Sequence, residues 1–140
     1  MTPTINHYEG ICNTPANIFA LKAYVELIEK GWADNIAQHN WDDKAITASV
    51  KGKVVGIIVW ARQEWTKTIV LKLGYVSAKY RKQGVYTMLW NELVKTAEGL
   101  NVVYIDGGTH VDNKPMRAFA KSQKRKEYAV AMRYCVKQKR

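Results

Sequence analysis

The chain has 140 residues, and since a domain typically holds about 100–200 residues, this length corresponds to one globular domain. Its composition is 47% hydrophobic and 24% charged, which excludes the class of disordered chains that are too polar to form a core. The formal net charge is +10 at pH 7. A charge this positive is compatible with an anionic partner, namely a nucleic acid, an anionic membrane or a phosphorylated cofactor, or with no particular partner.

The positive charge is concentrated at the carboxyl-terminal end. Residues 1–50 carry three basic and six acidic residues, whereas residues 110–140 carry ten basic and two acidic residues. No linker rich in Pro, Gly or Ser and no internal repeat separates the basic end from the rest. We therefore predict a single domain over residues 1–140.

Several classes of protein are excluded by what the sequence lacks. The longest apolar stretch, residues 54–61, is far shorter than the roughly 18 residues that a membrane-spanning helix needs. Residues 1–7 have neither the basic nor the apolar region of a secretory signal, so we expect a cytoplasmic protein. Cys12 and Cys135 form no CxxC pair and are expected to be ordinary thiols, and no metal site is predicted.

The first predicted element is a helix over residues 15–30. Thr14 is a good N-cap, Pro15 fits the first helical position, and Gly31 follows as a stop signal. Apolar residues recur within this segment at helical spacing, namely Ile18, Leu21, Val25 and Ile28. The weaker periodicity of residues 32–43 suggests a short second helix.

The next segments predict a sheet. Residues 45–50 and 54–62 flank a turn at 51–53 and predict a β-hairpin, and residues 68–76 predict a third antiparallel strand. A helix is predicted over 84–98, a strand over 101–105 parallel to the third strand, a helix over 113–123 and a final strand over 128–136. The predicted fold class is α/β, with a mixed, mostly antiparallel central sheet flanked by helices.

The segment over residues 75–87 carries the clearest functional signal. A strand ends there, a short basic loop with Arg81, Lys82 and Gly84 follows, and a long helix begins at once. Free backbone amides and the positive end of the helix dipole meet at such a junction, which makes it a potential phosphate-binding site. Gly84 permits close approach of a ligand to the backbone.

This strand–loop–helix resembles the acetyl-coenzyme A signature of the GCN5-related N-acetyltransferase (GNAT) family. Val76, Arg81 and Gly84 match the positions of that degenerate motif. The order of the predicted elements resembles the family over residues 14–136, including Asn113 at the start of a helix. The resemblance implies a GNAT-like fold and an N-acetyltransferase that transfers an acetyl group from acetyl-coenzyme A to a primary amine.

The resemblance also implies roles for individual residues. The backbone of Val76 would pair with the pantetheine arm and its amide would act as the oxyanion donor, and Asn113 would steady a helix near the cofactor. The amine would attack the thioester directly. The backbone amides expected to hold the pyrophosphate belong to Arg81, Lys82, Gln83, Gly84, Val85 and Tyr86.

Two departures from the family pattern leave parts of the chemistry open. Tyr86 replaces the last small residue of the motif, so its side chain must turn outward or alter cofactor binding. Ala120 stands where many members have a general-acid tyrosine, so Tyr128, Tyr134 or solvent is left to protonate the thiolate.

The candidates for the general base are His110, which has the most suitable ordinary pKa, and the carboxylates Glu64 and Asp106. Asp106 would alternatively belong to a turn or bulge with Gly107 and Gly108.

The remaining candidates concern the partners of the protein. Five tryptophans are candidates for an acceptor pocket: Trp60 and Trp90 fit a core by their periodicity, Trp41 and Trp65 fall in predicted loops, and Trp32 is the fifth. The basic run 121–126 and the tail 137–140 form either a solvated face or a nucleic-acid contact. The resemblance alternatively implies that Lys114, Arg117 and Lys121 lie near the 3′-phosphate of the cofactor. The favoured partner is an amine-bearing acceptor of unknown identity, in a monomer or homodimer. The alternative is a catalytically silent GNAT-like protein or a basic protein that binds nucleic acid.

Overall fold

The computed structural model describes residues 2–33, 40 and 42–137. The chain forms two compact units, Met1–His110 and Val111–Arg140. The first unit contains the whole sheet and two α-helices, and the second contains a third α-helix. The prediction of a single domain over residues 1–140 stays a prediction.

The first unit is built around one five-stranded sheet in the order β1-β2-β3-β4-β5. Three of its four strand pairs are antiparallel, and β5 runs parallel to β4. This mixed, mostly antiparallel sheet with helices confirms the predicted fold class. The strands are β1 (Thr4–Tyr8), β2 (Lys44–Val50), β3 (Lys53–Gln63), β4 (Thr68–Val76) and β5 (Tyr104–Gly107), and the α-helices are α1 (Pro15–Glu29), α2 (Val85–Glu98) and α3 (Lys114–Ser122).

Helices α1 and α2 lie on opposite faces of the sheet. Ile57 of β3 belongs to the core cluster that contains Phe19 of α1. Its neighbour Gly56 faces α2, since a Cβ added there would lie 3.0 Å from Cγ1 of Val85. Successive residues of a strand point to opposite faces. The missing side chain of Gly56 therefore lets the first turn of α2 rest directly on the sheet.

Helix α1 has the predicted bounds, but its apolar stripe does not face the core. Thr14 caps the helix by accepting a hydrogen bond from the Asn17 amide. Ile18, Leu21 and Val25 are 62%, 40% and 47% exposed. Small and aromatic side chains form the buried face instead, because small residues let the helix backbone approach the sheet closely. These buried residues are Ala16, Phe19, Ala20, Ala23 and Tyr24.

Strand β1 is an element that the sequence analysis missed. Its residues alternate poorly in polarity and are mostly exposed, so they lack the pattern of a half-buried strand. The strand forms because it pairs antiparallel with β2, from Thr4 opposite Ser49 to Tyr8 opposite Ala45. Nε2 of His7 on β1 lies 2.8 Å from Oε1 of Glu92 on α2.

The predicted final strand over residues 128–136 is wrong. Its alternating side chains are 75–90% exposed and the segment is irregular. An alternating sequence forms a strand only where a partner strand completes its hydrogen bonds, and no described strand pairs with this segment. Strand β5 also begins at Tyr104 rather than at the predicted residue 101. The proposed second helix lies largely outside the described residues.

Two smaller expectations can be compared directly with the structure. Cys12 and Cys135 are free thiols, as expected from their spacing. None of the helices in the described part of the chain is both long and apolar enough to cross a bilayer.

Candidate functional site

The end of β4 and the start of α2 form the junction that the sequence singled out. Residues 77–84, which we call the β4–α2 loop, contain a short 3₁₀ turn (Ala78–Tyr80) and lead into α2 at Val85. Gly84 is the N-cap residue of α2 and has a φ of +82°, a left-handed conformation that favours glycine. The predicted start and end of this helix are confirmed.

The first turn of α2 presents backbone amides without a side-chain cap. A helix leaves its first amide groups without partners inside the helix, and no side chain caps α2. A Cβ added to Gly84 would meet nothing within 4 Å, so the backbone here is open to a ligand. These amides and the helix dipole favour an anionic group such as a phosphate.

Strand β4 extends beyond the strand beside it. Its parallel pairing with β5 runs from Thr68 opposite Tyr104 to Leu71 opposite Gly107. β4 continues to Val76, so residues 72–76 have no partner on the β5 side among the described residues. This open strand edge leads straight into the β4–α2 loop. The arrangement offers an extended ligand a strand to pair with and amides for its phosphates.

Arg81 is held in place by three contacts. Its Nε donates to the carbonyl oxygen of Val76 at 2.8 Å, and its Nη2 donates to Oε2 of Glu26 on α1 at 2.9 Å. The guanidinium also lies 5.2 Å from the ring centroid of Tyr75, within the range of a cation–π contact. Arg81 therefore ties the β4–α2 loop both to β4 and to α1.

Glu26 is the centre of this cluster, and the sequence analysis did not identify it. Burial alone would raise the pKa of Glu26, but hydrogen bonds from Arg81 and Tyr75 and the charges of Arg81 and Lys30 outweigh burial and lower the pKa below its ordinary value. The Tyr75 hydroxyl donates to Oε1 at 2.9 Å. Burial, followed by the contact with Glu26, raises the pKa of Tyr75. Glu26 is therefore a carboxylate at neutral pH.

Tyr86 does not turn outward. Its ring lies over Gly74 of β4, since a Cβ added to Gly74 would come 2.9 Å from Cζ of Tyr86. The Tyr86 hydroxyl oxygen is buried. The absence of a side chain at Gly74 thus makes room for the bulky residue that replaces the small residue of the motif.

This packing predicts a coupled effect of two substitutions. Gly74→Ala should lower the free energy of unfolding by about 2 kcal/mol, because an inserted methyl overpacks the contact with Tyr86. The same substitution should be nearly neutral in a Tyr86→Ala background, where the ring is absent. Urea denaturation of the four proteins of this double-mutant cycle measures the coupling. An equal cost of Gly74→Ala in both backgrounds would show that the two residues do not interact.

A second feature, a cavity of about 340 Å³, lies on the α1 face of the sheet. Its lining comes from residues 40, 42–44 and 61–63 and from Val70 and Lys72 of β4. Lys72 is the first β4 residue beyond the last pair with β5. The lining of the cavity therefore reaches the β4 residues at which the pairing with β5 ends, and it contains no described residue of β5.

A buried ion pair forms one wall of this cavity. Asp43 is 1% exposed, and both of its carboxylate oxygens accept from Nζ of Lys72 at 3.0 Å. Oδ2 of Asp43 also accepts from the Asn40 amide at 2.6 Å. Burial and the charge of Asp43 raise the pKa of Tyr24 to about 12. The sequence analysis missed this pair, although a lysine in the middle of an apolar strand signals a buried partner.

The three candidate bases occupy different places. Asp106 lies on β5 directly opposite Val70, and directly opposed residues of a strand pair project to the same face. Asp106 therefore shares the face of the cavity. The His110 ring stacks on Trp32 with centroids 6.3 Å apart. Glu64 lies in the exposed turn between β3 and β4.

The other aromatic candidates divide as follows. Trp60 and Trp90 are buried, as their periodicity predicted. Trp65 is 99% exposed in the β3–β4 turn, so it lines no pocket within the described residues. Trp41 lies outside the described residues.

The remaining candidates belong to the second unit. Asn113 caps α3 by accepting from the Met116 amide at 3.3 Å, so the predicted helix start is confirmed. Tyr128 and Tyr134 are 75% and 87% exposed. Arg117 on α3 pairs with Glu127 at 3.0 Å.

Comparison with known proteins identifies one family whose model matches most of the chain. The model of the acetyltransferase (GNAT) family matches residues 13–123. A comparison with curated protein sequences gives no significant match. A solved aminoglycoside acetyltransferase from an uncultured soil metagenomic sample, in complex with sisomicin, is 15% identical with a TM-score of 0.73, and each chain is covered to 97%.

Two other solved structures are similar to this chain. An integron cassette protein from V. cholerae is 17% identical with a TM-score of 0.72, over 99% of this chain and 94% of that one. A ribosomal-protein-alanine N-acetyltransferase from Brucella melitensis is 16% identical with a TM-score of 0.63, over 97% and 99%. At these identities the likeness concerns the fold.

Proposed function

Because the chain belongs to the GNAT acetyltransferase family, we propose that it transfers an acetyl group from acetyl-coenzyme A to a primary amine. The observation that carries the proposal is the junction of β4 and α2. There an uncapped helix start with Gly84 at a φ of +82° follows a strand whose last five residues have no β5 partner. Both features lie within the residues that the family model matches.

The residues at the junction fit the proposed cofactor. The amides at the start of α2 would hold the pyrophosphate, since they are uncapped and the space beside Gly84 is open. The open edge of β4 over residues 72–76 would pair with the amide groups of the pantetheine arm. Bound acetyl-coenzyme A supplies a thioester, whose acyl carbon is the site of attack.

We assign the cavity beside Val70 and Lys72 to the acceptor. An amine entering there would reach the point where β4 and β5 part, on the sheet face to which Asp106 projects. Asp106 would take the proton that the amine loses as the N–C bond forms and the C–S bond breaks, and the departing thiolate would take a proton from solvent.

The role of Asp106 predicts a loss of activity on substitution. Asp106→Asn should lower kcat by at least about a hundredfold, because general-base catalysis typically contributes about 10²–10⁴-fold. His110→Gln should change kcat by less than about threefold, measured with the same acceptor. A large loss in the His110 variant alone would transfer the role of base to that residue.

The proposal is tested by binding and by product. Acetyl-coenzyme A at a hundred times its Kd should stabilise the protein by about 2.7 kcal/mol, measured as a rise in Tm. Mass spectrometry should then detect a 42 Da addition on an acceptor amine. Sisomicin and a peptide with an amino-terminal alanine are the first acceptors to test, in view of the structural relatives.

One pattern of results would overturn this function. If acetyl-coenzyme A gives no stabilisation while a duplex oligonucleotide binds with steep salt dependence, the basic residues of 110–140 serve nucleic acid binding instead. Stabilisation without product on any amine would indicate a catalytically silent member of the family.

A further inference from the structure

Glu26 connects helix α1 to the β4–α2 loop across 55 residues of sequence. Its two carboxylate oxygens have separate donors, the Tyr75 hydroxyl on Oε1 and the Arg81 guanidinium on Oε2, each at 2.9 Å. Lys30, one turn further along α1, lies 3.6 Å from Oε2. The carboxylate thus joins one residue of α1, one of β4 and one of the loop.

The rest of the Arg81 side chain makes this connection rigid. Its Nε is hydrogen-bonded to the Val76 carbonyl, and its guanidinium lies over the Tyr75 ring. A guanidinium presents its donors in a fixed plane, so the contacts with Val76 and Glu26 together determine where the Arg81 backbone lies. Arg81 is the third residue before Gly84, at which the open amides begin.

The same contacts change the assignment of the loop cations. In the sequence, Arg81 and Lys82 are equivalent as basic residues of a potential phosphate-binding loop. The charge of Arg81 is already opposed by Glu26, whereas Lys82 is exposed and forms no salt bridge within the described part of the chain. Lys82 is therefore available to a phosphate, as is Lys79, which is also exposed and forms no salt bridge among the described residues.

We propose that Glu26 is a positioning residue, which fixes Arg81 and thereby holds the β4–α2 loop in the conformation that presents its amides to the phosphates of the cofactor. This inference rests on the proposed function, because it assigns a ligand to the loop. The part that concerns the loop conformation can be tested without any ligand. Glu26 itself makes no contact with the cofactor in this proposal.

The test compares two substitutions on one helix. Glu26→Gln keeps the size of the side chain and removes its charge, and Glu29→Gln makes the same change at an exposed residue of α1. Hydrogen exchange of the ligand-free proteins reports on residues 77–81, where the amides of Ser77, Tyr80 and Arg81 are hydrogen-bonded. A charged hydrogen bond contributes enough to change an equilibrium by about tenfold, so exchange in this segment should rise about tenfold in Glu26→Gln and not in Glu29→Gln.

Kinetics provide the second readout. The KM for acetyl-coenzyme A should rise in Glu26→Gln while kcat stays within about twofold, because loop positioning affects binding and not the chemical step. A general structural role would instead raise exchange across the sheet and lower the Tm by more than the control does. Arg81→Lys keeps the charge but loses the planar set of guanidinium donors, and it should reproduce the effect of Glu26→Gln.

The outcomes separate the two proposals. Equal loop exchange in Glu26→Gln and Glu29→Gln would overturn the positioning role, whatever the activity. Faster loop exchange in a protein that binds no acetyl-coenzyme A would overturn the proposed function and the cofactor role together, and leave a purely conformational contact. If Glu26→Gln folds poorly, Tyr75→Phe removes one of the two donors without a change of charge and should give a smaller rise in the same segment.

Discussion

Gly84→Glu is expected to weaken binding of acetyl-coenzyme A about a hundredfold. The new carboxylate would project from the N-cap of α2 into the open space beside the uncapped amides. At about 5 Å from a phosphate, in the medium near a protein surface, two like charges repel by about 3 kcal/mol. Isothermal titration calorimetry measures the change in Kd.

The matched control for this variant is Gly84→Gln. Any side chain at a φ of +82° strains the backbone, at a cost of about 1–2 kcal/mol of stability. Glutamine causes the same backbone strain and has nearly the same size but no charge, so the ratio of the two Kd values measures the effect of the negative charge on binding. Binding of the two variants within threefold of each other would show that phosphate does not lie at this helix start.

Asp43→Asn is expected to lower the free energy of unfolding by about 3 kcal/mol, because it leaves the largely buried ammonium of Lys72 without its counter-charge. The asparagine keeps an oxygen that can accept from the Asn40 amide. The loss therefore reports on the ion pair and not on the local turn. Guanidinium chloride denaturation measures it.

Two further variants make this result specific. Asp42→Asn changes the charge of the neighbouring exposed residue and should alter stability by less than about 0.5 kcal/mol. Lys72→Met in the Asp43→Asn background should recover at least 1 kcal/mol, since removal of the second charge ends the mismatch. A double variant no more stable than Asp43→Asn would show that the pair is not the source of the loss.

The parts of the fold that were predicted correctly depend on local signals. Thr14, Pro15 and Gly31 delimit α1, and Gly84 and Gly99 delimit α2, because capping preferences act within a few residues. The face that α1 buries was not predicted correctly, because it depends on which side chains fit against the sheet beneath the helix. The stripe with Ile18 and Leu21 predicts the helix but not its orientation.

The errors lie where a segment depends on a partner. Strand β1 has no apolar alternation and forms because β2 offers a free edge, whereas residues 128–136 alternate well and have no described partner strand. Periodicity reports on the faces of an element, whereas pairing decides whether a strand exists. Sequence patterns alone therefore predict a strand at 128–136, where none forms, and miss β1.

Only the part of the site that is contiguous in sequence was predicted. The β4–α2 loop is contiguous, so Arg81 and Gly84 were found from their spacing. Glu26 and Arg81 are 55 positions apart, and Asp43 and Lys72 are 29 apart, so no spacing rule connects them. The match of Tyr86 with Gly74 is likewise a compensation that only the packing of α2 on β4 makes visible.

The glycine N-cap of α2 also makes the stability of this helix sensitive to an anion at its first turn. A serine or aspartate cap stabilises a helix by a few tenths of a kcal/mol relative to glycine, and α2 lacks that contribution. An anion held by the first-turn amides would act as the missing cap and restore it only while bound. If acetyl-coenzyme A is that anion, as proposed above, the ligand-free protein should have a lower Tm than the loaded one.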